Sequence, residues 1–208
     1  MADGIPFAHM PFDVLLFDLG GVLVHFAGFE ELCRLLPEGT DPAAVRERWI
    51  RSDSVHRFEK GALDAAEFAD RFLAEWALDL EPIAFLEAFT AWNRGLYPGA
   101  DVLLERLARS HRLACLSNAS ELHTPVHRQR LAPFFERFYF SNELHLAKPS
   151  PEIFTRVLSD LAIPAARIAY FDDTEVNVEA AARSGMIAFR TDGLAELERR
   201  LVELGLWG

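Results

Sequence analysis

"FDLGGVL", residues 17 to 23, joins an apolar run to an aspartate, then to a glycine pair, before apolar residues resume. Together with the preceding "DVLL" it reads as a short buried strand that carries the carboxylate of Asp18 to its end and then turns sharply. An aspartate closing a strand is by itself an ordinary turn residue. Its weight depends on what the rest of the chain brings to the same place.

Further strand candidates follow at intervals: "RLACLSN" (112–118), "RFYFS" (137–141), "RIAYFDD" (167–173) and "MIAFR" (186–190). Helical patterns stand between them, among them "ADVLLERLARS", "PEIFTRVLSDLAI" with proline in its first turn, and "TEVNVEAAARSG" closed by Gly185. Strands alternating with helices predict an α/β fold with a doubly wound parallel sheet. Ligands of such sheets sit beyond the carboxyl ends of the strands, at the switch point. Residues 26–97 interrupt the rhythm. "FEELCRLL", "PAAVRERWIRSD", "DAAEFADRFLAEW" and "EPIAFLEAFTAWN" carry apolar residues at helical spacing with no strand between them. The expected organisation is therefore a catalytic core of residues 1–25 and 98–208, with an inserted α-helical domain, 26–97, overhanging Asp18. Trp49, Trp76 and Trp92 are expected to pack among these helices.

The chain has 208 residues, half of them hydrophobic, enough for one domain with an insertion, or two. A formal net charge of -11 disfavours nucleic acid and anionic membranes as partners, so an anionic substrate needs a local cationic site. The start, "MADGIPFAHMPFDV", lacks the basic residues and long apolar run of a signal peptide, and no stretch is apolar enough to span a membrane. Cys33 and Cys115 are too few for a metal cage and suit reduced core thiols. A soluble, cytoplasmic protein is expected.

Several polar residues gather at the expected strand ends. Asp18 closes the first, Ser117 and Asn118 the second, Asp172 and Asp173 the fourth, and Lys148 lies in the loop "HLAKPSPEIF". Each alone is an ordinary turn or surface residue. Their order, at the places where a doubly wound sheet collects its ligands, is not.

"FDLGGVL", "LSNAS", "AKPSPEIF" and "YFDDTEVNVEAAARSGM" together resemble the motifs of the haloacid dehalogenase superfamily, whose members are mostly phosphatases. The resemblance runs from about Phe12 over nearly the whole chain. The helical insertion looks like the family's C1-type cap. "LSN" followed by "ELHT", and "FEKGALDAAEF", look closest to the bacterial sugar-phosphate phosphatases that include alpha-D-glucose-1-phosphate phosphatase. The resemblance implies a phosphoric monoester hydrolase acting on a small phosphorylated metabolite, with Asp18 as the nucleophile that forms an aspartyl-phosphate. It implies Mg2+ held by Asp18, Asp173 and the Gly20 carbonyl, with Asp172 orienting the site or ligating through water. Ser117 and backbone N–H groups around Asn118 and Ala119 would hold phosphoryl oxygens, and Lys148 would neutralise their charge.

The chain departs from the family pattern at Gly20, where most of these phosphatases carry a second aspartate as general acid and base. Such a group is typically worth about a hundred to ten thousand fold in rate. Three alternatives follow: a slower enzyme or one with a good leaving group; a substitute such as His25 or His123; or different chemistry. The different chemistry would be that of the 2-haloacid dehalogenases, which also lack this aspartate but lack the acidic pair "DD" as well. A phosphate-binding protein without turnover is a third class. A positive φ at Gly20 would also make an aspartate there costly. His123 and His127 in "HTPVH" have helical ligand spacing, but Pro125 is expected to disturb that turn, which leaves them as surface or substrate-side groups. Arg46, Arg48, Arg51 and Arg57 form a basic run, either a solvated face or a second contact for an anion.

Overall fold

Successive residues of the first strand feed opposite faces of a sheet, as the two-residue period of a strand requires. In the computed structural model, which describes residues 12–208, Leu15 and Phe17 enter one apolar cluster and Val14 and Leu16 another. Residues 1–11, and with them nearly all of the N-terminal stretch read above for a leader, lie outside the described residues.

The elements run β1 (Val14–Phe17), β2 (Val24–Phe26), α1 (Gly28–Leu35), α2 (Pro42–Arg51), α3 (Asp53–Glu59), α4 (Ala65–Trp76), α5 (Pro82–Ala91), β3 (Asn93–Leu96) and α6 (Ala100–Leu107). They continue with β4 (Arg112–Ser117), α7 (Thr124–Leu131), β5 (Arg137–Phe140), α8 (Ser141–Leu144), α9 (Pro151–Leu161), β6 (Ile168–Asp172), α10 (Glu175–Arg183), β7 (Ile187–Arg190) and α11 (Leu194–Glu203). A five-stranded parallel sheet has the order β5-β4-β1-β6-β7. On one face, Leu103, Leu104 and Leu107 of α6 and Leu197 and Leu201 of α11 cover it. On the other lie Ile153, Phe154 and Val157 of α9 with Ala180 and Ala181 of α10. Burial on both faces explains why the central strands read as unbroken apolar runs. All five sheet strands fall where the apolar runs predict them. No described helix is long and apolar enough to cross a membrane.

Helices α1 to α5 pack around a separate cluster that includes Trp49, Phe58, Phe68, Phe72, Trp76, Phe85, Phe89 and Trp92. Phe58 and Phe68 stack with centroids 4.1 Å apart, and Phe72 and Phe85 with centroids 5.0 Å apart. Helix α4 begins with a capping box, the Asp64 carboxylate accepting from the Glu67 N–H while the Glu67 carboxylate accepts from the Asp64 N–H.

The sequence expectation is corrected at three places. Residues 26–97 are not strand-free, because β3 pairs antiparallel with β2 as a ribbon on either side of the helical segment. Strands of three and four residues, one containing Gly95, carry no alternation to read; only their pairing defines them. The pattern from Pro42 to Asp53 is broken at Ser52, whose hydroxyl accepts from the Val55 N–H and starts the separate helix α3. Pro125 does not disturb its helix, since it stands in the first turn of α7, where no N–H donor is required.

Replacing Phe68, a fully buried ring of the helical cluster, by alanine should lower stability by about 3–5 kcal/mol. Urea unfolding followed by tryptophan fluorescence measures this directly, because Trp49, Trp76 and Trp92 all report on that cluster.

Candidate active site

Asp18 follows β1 and is tied into the sheet through its N–H, which donates to the Phe171 carbonyl at 2.8 Å. The chain then coils tightly. The Leu19 carbonyl accepts from the N–H groups of Val22, Leu23 and Val24 at 3.2, 2.9 and 2.7 Å. Of the glycine pair, Gly21 is the one that must be glycine: its φ is +73°, and a Cβ there would lie 2.7 Å from Asp173 Oδ2. Gly20 lacks positive φ, and a Cβ on it would meet nothing nearer than Phe26 Cβ at 3.9 Å. The backbone reason considered for glycine at position 20 is therefore absent.

Lys148 is buried between two carboxylates, its Nζ 3.0 Å from Asp18 Oδ1 and 2.7 Å from Asp172 Oδ2. Asn118 aims the lysine by gripping its backbone: its Oδ1 accepts from the Lys148 N–H at 2.9 Å and its Nδ2 donates to the Lys148 carbonyl at 3.0 Å. Burial works against the ammonium, but Asp172 and Asp18 outweigh it and hold Lys148 charged well above the ordinary lysine range. Burial likewise raises the Asp18 carboxyl, the lysine pulls it down, and Asp172 and Asp173 push it up.

Strand alternation sends Asp172 and Asp173 to different surroundings. Asp172 turns inward beside Tyr170, whose hydroxyl donates to it, and accepts from the Thr174 N–H at 2.8 Å and from Asn177 Nδ2 at 3.1 Å. Both its oxygens are thus engaged, the partnership of an orienting group. Asp173 faces the glycine turn, accepting from Thr174 Oγ1 at 2.9 Å and from Arg46 Nη2 of α2 at 3.1 Å. Carboxylate oxygens of Asp18, Asp172 and Asp173 lie within 4.8 Å of one another, an all-oxygen donor set suited to a hard divalent cation.

These groups form the floor of a cavity of about 440 Å³. Ser117 and Asn118 line it as well, and the Ser117 hydroxyl bonds to no other described residue. Ala119 differs from expectation: its N–H donates to Ser141 Oγ at 2.9 Å and is not available to a phosphoryl group. The roof comes from the ribbon and the helical layer, with Phe26, Phe29, Trp49, Phe58 and Phe89.

His123 and His127 are buried rather than superficial, and both line the cavity. His123 stacks on Phe89 at 5.0 Å, with Nε2 3.1 Å from the Phe89 carbonyl. Burial lowers both histidines, His127 to about 4, and keeps them neutral. They offer neither a charged acid nor a pair of metal-facing nitrogens. His25 lies at the mouth, exposed and stacked on Tyr97. Of the basic run, Arg46 alone meets the site; Arg48 lies over Trp76, Arg51 pairs with Glu47 and Arg57 with Asp53. Cys33 and Cys115 are unpaired.

Sequence reasoning missed Glu59, at the end of α3, which lines the cavity. Burial raises its carboxyl to about 7, with Lys148 lowering and Asp18 raising it. The motif "FEKG" contains the signal, an acid two residues before Gly61, but only the packing of α3 brings that acid to the cavity.

Fold and site define a doubly wound α/β protein with a carboxylate-lysine centre over the switch point of its sheet. The chain belongs to the haloacid dehalogenase-like hydrolases, the family that matches residues 12–185. A haloacid dehalogenase family enzyme from Bacteroides thetaiotaomicron, solved in complex with magnesium and inorganic phosphate, is 25% identical with a TM-score of 0.68, covering 87% of this chain and 94% of that one. A predicted HAD-like hydrolase from Porphyromonas gingivalis shares the fold at 23% identity and a TM-score of 0.72, over 88% and 92% of the two chains. So does an L-2-haloacid dehalogenase from Xanthobacter autotrophicus with chloropropionic acid covalently bound, at 20% identity and 0.65, over 92% and 82%.

The lowered histidine has a consequence for stability. His127 takes up its proton at about 4 in the folded state, against about 6.5 unfolded, so the unfolded chain binds more protons between those values. Stability contributed by neutral His127 is complete above pH 6.5 and is lost as pH falls toward 4. Urea titrations over that range should show wild type losing about 2–3 kcal/mol more than His127→Gln.

Proposed function

We propose that the chain is a Mg2+-dependent phosphatase that hydrolyses a small phosphorylated metabolite through an aspartyl-phosphate on Asp18. The observation that carries this is Asp173, set beside Asp18 with its carboxylate toward the glycine turn. Three carboxylates so close together call for a cation that Lys148 alone does not replace. Asp18, Asp173 and the Gly20 carbonyl would hold Mg2+, and Asp172 would keep Lys148 in position. Mg2+ held there supplies a charge that screens the phosphoryl oxygens from an incoming carboxylate. The magnesium and phosphate of the Bacteroides relative support the same assignment.

The remaining steps belong to the chain itself. Asp18 presents an oxygen along the axis of the scissile bond, a matter of positioning rather than of intrinsic nucleophilicity. The Lys148 ammonium, the Ser117 hydroxyl and the Asn118 N–H hold the phosphoryl oxygens. Helices α1 to α5 act as a cap of the C1 type, and their aromatic faces exclude water and receive the leaving group. Those faces suit the apolar side of a sugar ring, in keeping with the resemblance to the sugar-phosphate phosphatase branch. The unpaired cysteines accord with a cytoplasmic setting.

Dehalogenation is the second reading, favoured by the shared fold and by the absent carboxylate at Gly20. It leaves Asp173 without a task. Turnover of para-nitrophenyl phosphate that requires Mg2+ supports the phosphatase; halide release from a 2-haloacid without metal would replace it, and phosphate binding with neither activity would indicate a binding protein. A screen of phosphorylated metabolites then identifies the substrate.

Asp18→Asn should reduce Mg2+-dependent phosphatase activity to background while near-ultraviolet circular dichroism stays unchanged. Substantial turnover by the folded variant would remove Asp18 from the nucleophile role.

The two acidic neighbours should separate cleanly. Asp173→Ala should weaken Mg2+ binding, read by calorimetric titration, by more than the roughly 10–100-fold typical of losing an outer partner. Asp172→Ala should act mainly on stability, by about 3–5 kcal/mol in urea, because it strips one counter-charge from buried Lys148. Equal Mg2+ affinities in the two variants would contradict the assignment.

A further inference from the structure

Building on the phosphatase reading above, we infer that Glu59 of the helical layer donates and accepts the proton in phosphoryl transfer, the task for which Gly20 has no side chain. Glu59 lines the cavity that also holds Asp18, Ser117 and Lys148, and it comes from α3 of the helical layer rather than from a strand end.

The other carboxylates of that cavity are engaged or remote. Asp18 is bound by Lys148 and by the Leu19 N–H, and Asp173 by Arg46 and Thr174. Glu30 faces His25, and Asp192 is exposed. Glu59 is partly buried, and its carboxyl has no hydrogen bond or ion pair to any described residue. A carboxyl withdrawn from water without a partner favours its protonated form. The value near 7 is consistent with a group that can both give and take a proton at neutral pH. The charged groups acting on Glu59 are Lys148 and Asp18 of the core, and both reach it electrostatically. His56 and Lys60 are titratable groups close to it in its own segment.

Glu59 is also held in place. Phe58 before it is stacked on Phe68 in the helical cluster. After it, the Lys60 carbonyl lies 3.0 Å from His145 Nδ1 of the core. Gly61 then turns with φ +64°, packed so closely that a Cβ would lie 2.6 Å from the Asn142 carbonyl oxygen. One neighbour is anchored in the helical layer and the next two against the core, which holds the backbone of Glu59 between them.

In the first step a carboxylate oxygen of Asp18 bonds to phosphorus, the bond from phosphorus to the leaving oxygen breaks, and that oxygen takes the proton of the Glu59 carboxyl. In the second, Glu59 carboxylate takes a proton from water, the water oxygen bonds to phosphorus, and the bond to Asp18 breaks. Phosphate leaves, and both side chains return to their starting states.

The test is a series of aryl and alkyl phosphates of graded leaving-group pKa, at saturating Mg2+, with wild type, Glu59→Gln and the double variant Glu59→Gln with Gly20→Asp. Wild type should show a shallow dependence. Glu59→Gln should lose less than about tenfold in kcat on para-nitrophenyl phosphate but about 10²–10⁴-fold on the alkyl phosphates, giving a steep dependence. The double variant should be shallow again, because position 20 accepts a Cβ without a clash and has no positive φ. A uniform loss across the series, no loss, or a double variant as steep as Glu59→Gln would overturn the role of Glu59 and leave the phosphatase standing. Wild type inactive on every phosphate would overturn the phosphatase reading, and this role with it.

Discussion

The site depends on one buried cation. The Lys148 ammonium is nearly inaccessible to water, and removing such a charge from water costs several kcal/mol even after the protein relaxes. Asp18 and Asp172 offset that cost only because β1 and β6 are adjacent in the sheet and end at the same level. Asn118, at the end of β4 on the other side of β1, sets the height of the lysine by holding both polar groups of its backbone. Three strand ends and one loop must therefore agree before the pair can form. Tyr170, Thr174 and Asn177 complete the arrangement by saturating Asp172, so that its charge is directed at Lys148.

A chain of net charge -11 thus carries its cationic centre inside, at the one place where several carboxylates converge. Long-range attraction of an anion to such a surface is weak, whereas short-range attraction in a water-poor cavity is strong, because the effective dielectric constant falls with burial. The aromatic roof supplies that surrounding. Phe26, Phe29, Trp49 and Phe89 contact one another edge to face or stacked above the charged floor. Arg46 links the two layers through Asp173, and an ion at that carboxylate would compete with this contact.

The glycine pair that follows Leu19 shows how closely the ends of β1 and β6 approach each other. Gly21 lets the Asp173 carboxylate approach the backbone of the turn, and a side chain there would displace it. A Cβ on Gly20 would meet only Phe26 Cβ, at an ordinary contact distance of 3.9 Å, so the core tolerates a side chain at this position but has none. The cavity instead receives a carboxyl from the helical layer. Helical layer and core would then share one reaction, the layer serving proton transfer as well as exclusion of water.

The parallel sheet, the helical segment, the strand-end residues Asp18, Ser117, Asp172 and Asp173 and the loop residue Lys148 were legible in the sequence by themselves. Their signals are local: apolar runs of strand length, helical spacing, and polar residues where a strand must stop. The ribbon of β2 and β3, the start of α3, the division of labour between Asp172 and Asp173, the capture of the Ala119 N–H by Ser141 and the inward aim of Glu59 were decided only by tertiary structure. The ribbon, the capture of the Ala119 N–H and the Lys148 contact of Asp172 are pairings between residues distant in sequence, whereas the start of α3 is a local cap at Ser52 that the run of apolar spacing conceals. Strands as short as β2 and β3 have no pattern apart from their partner, and a carboxylate has no assigned role until burial and neighbours set its charge.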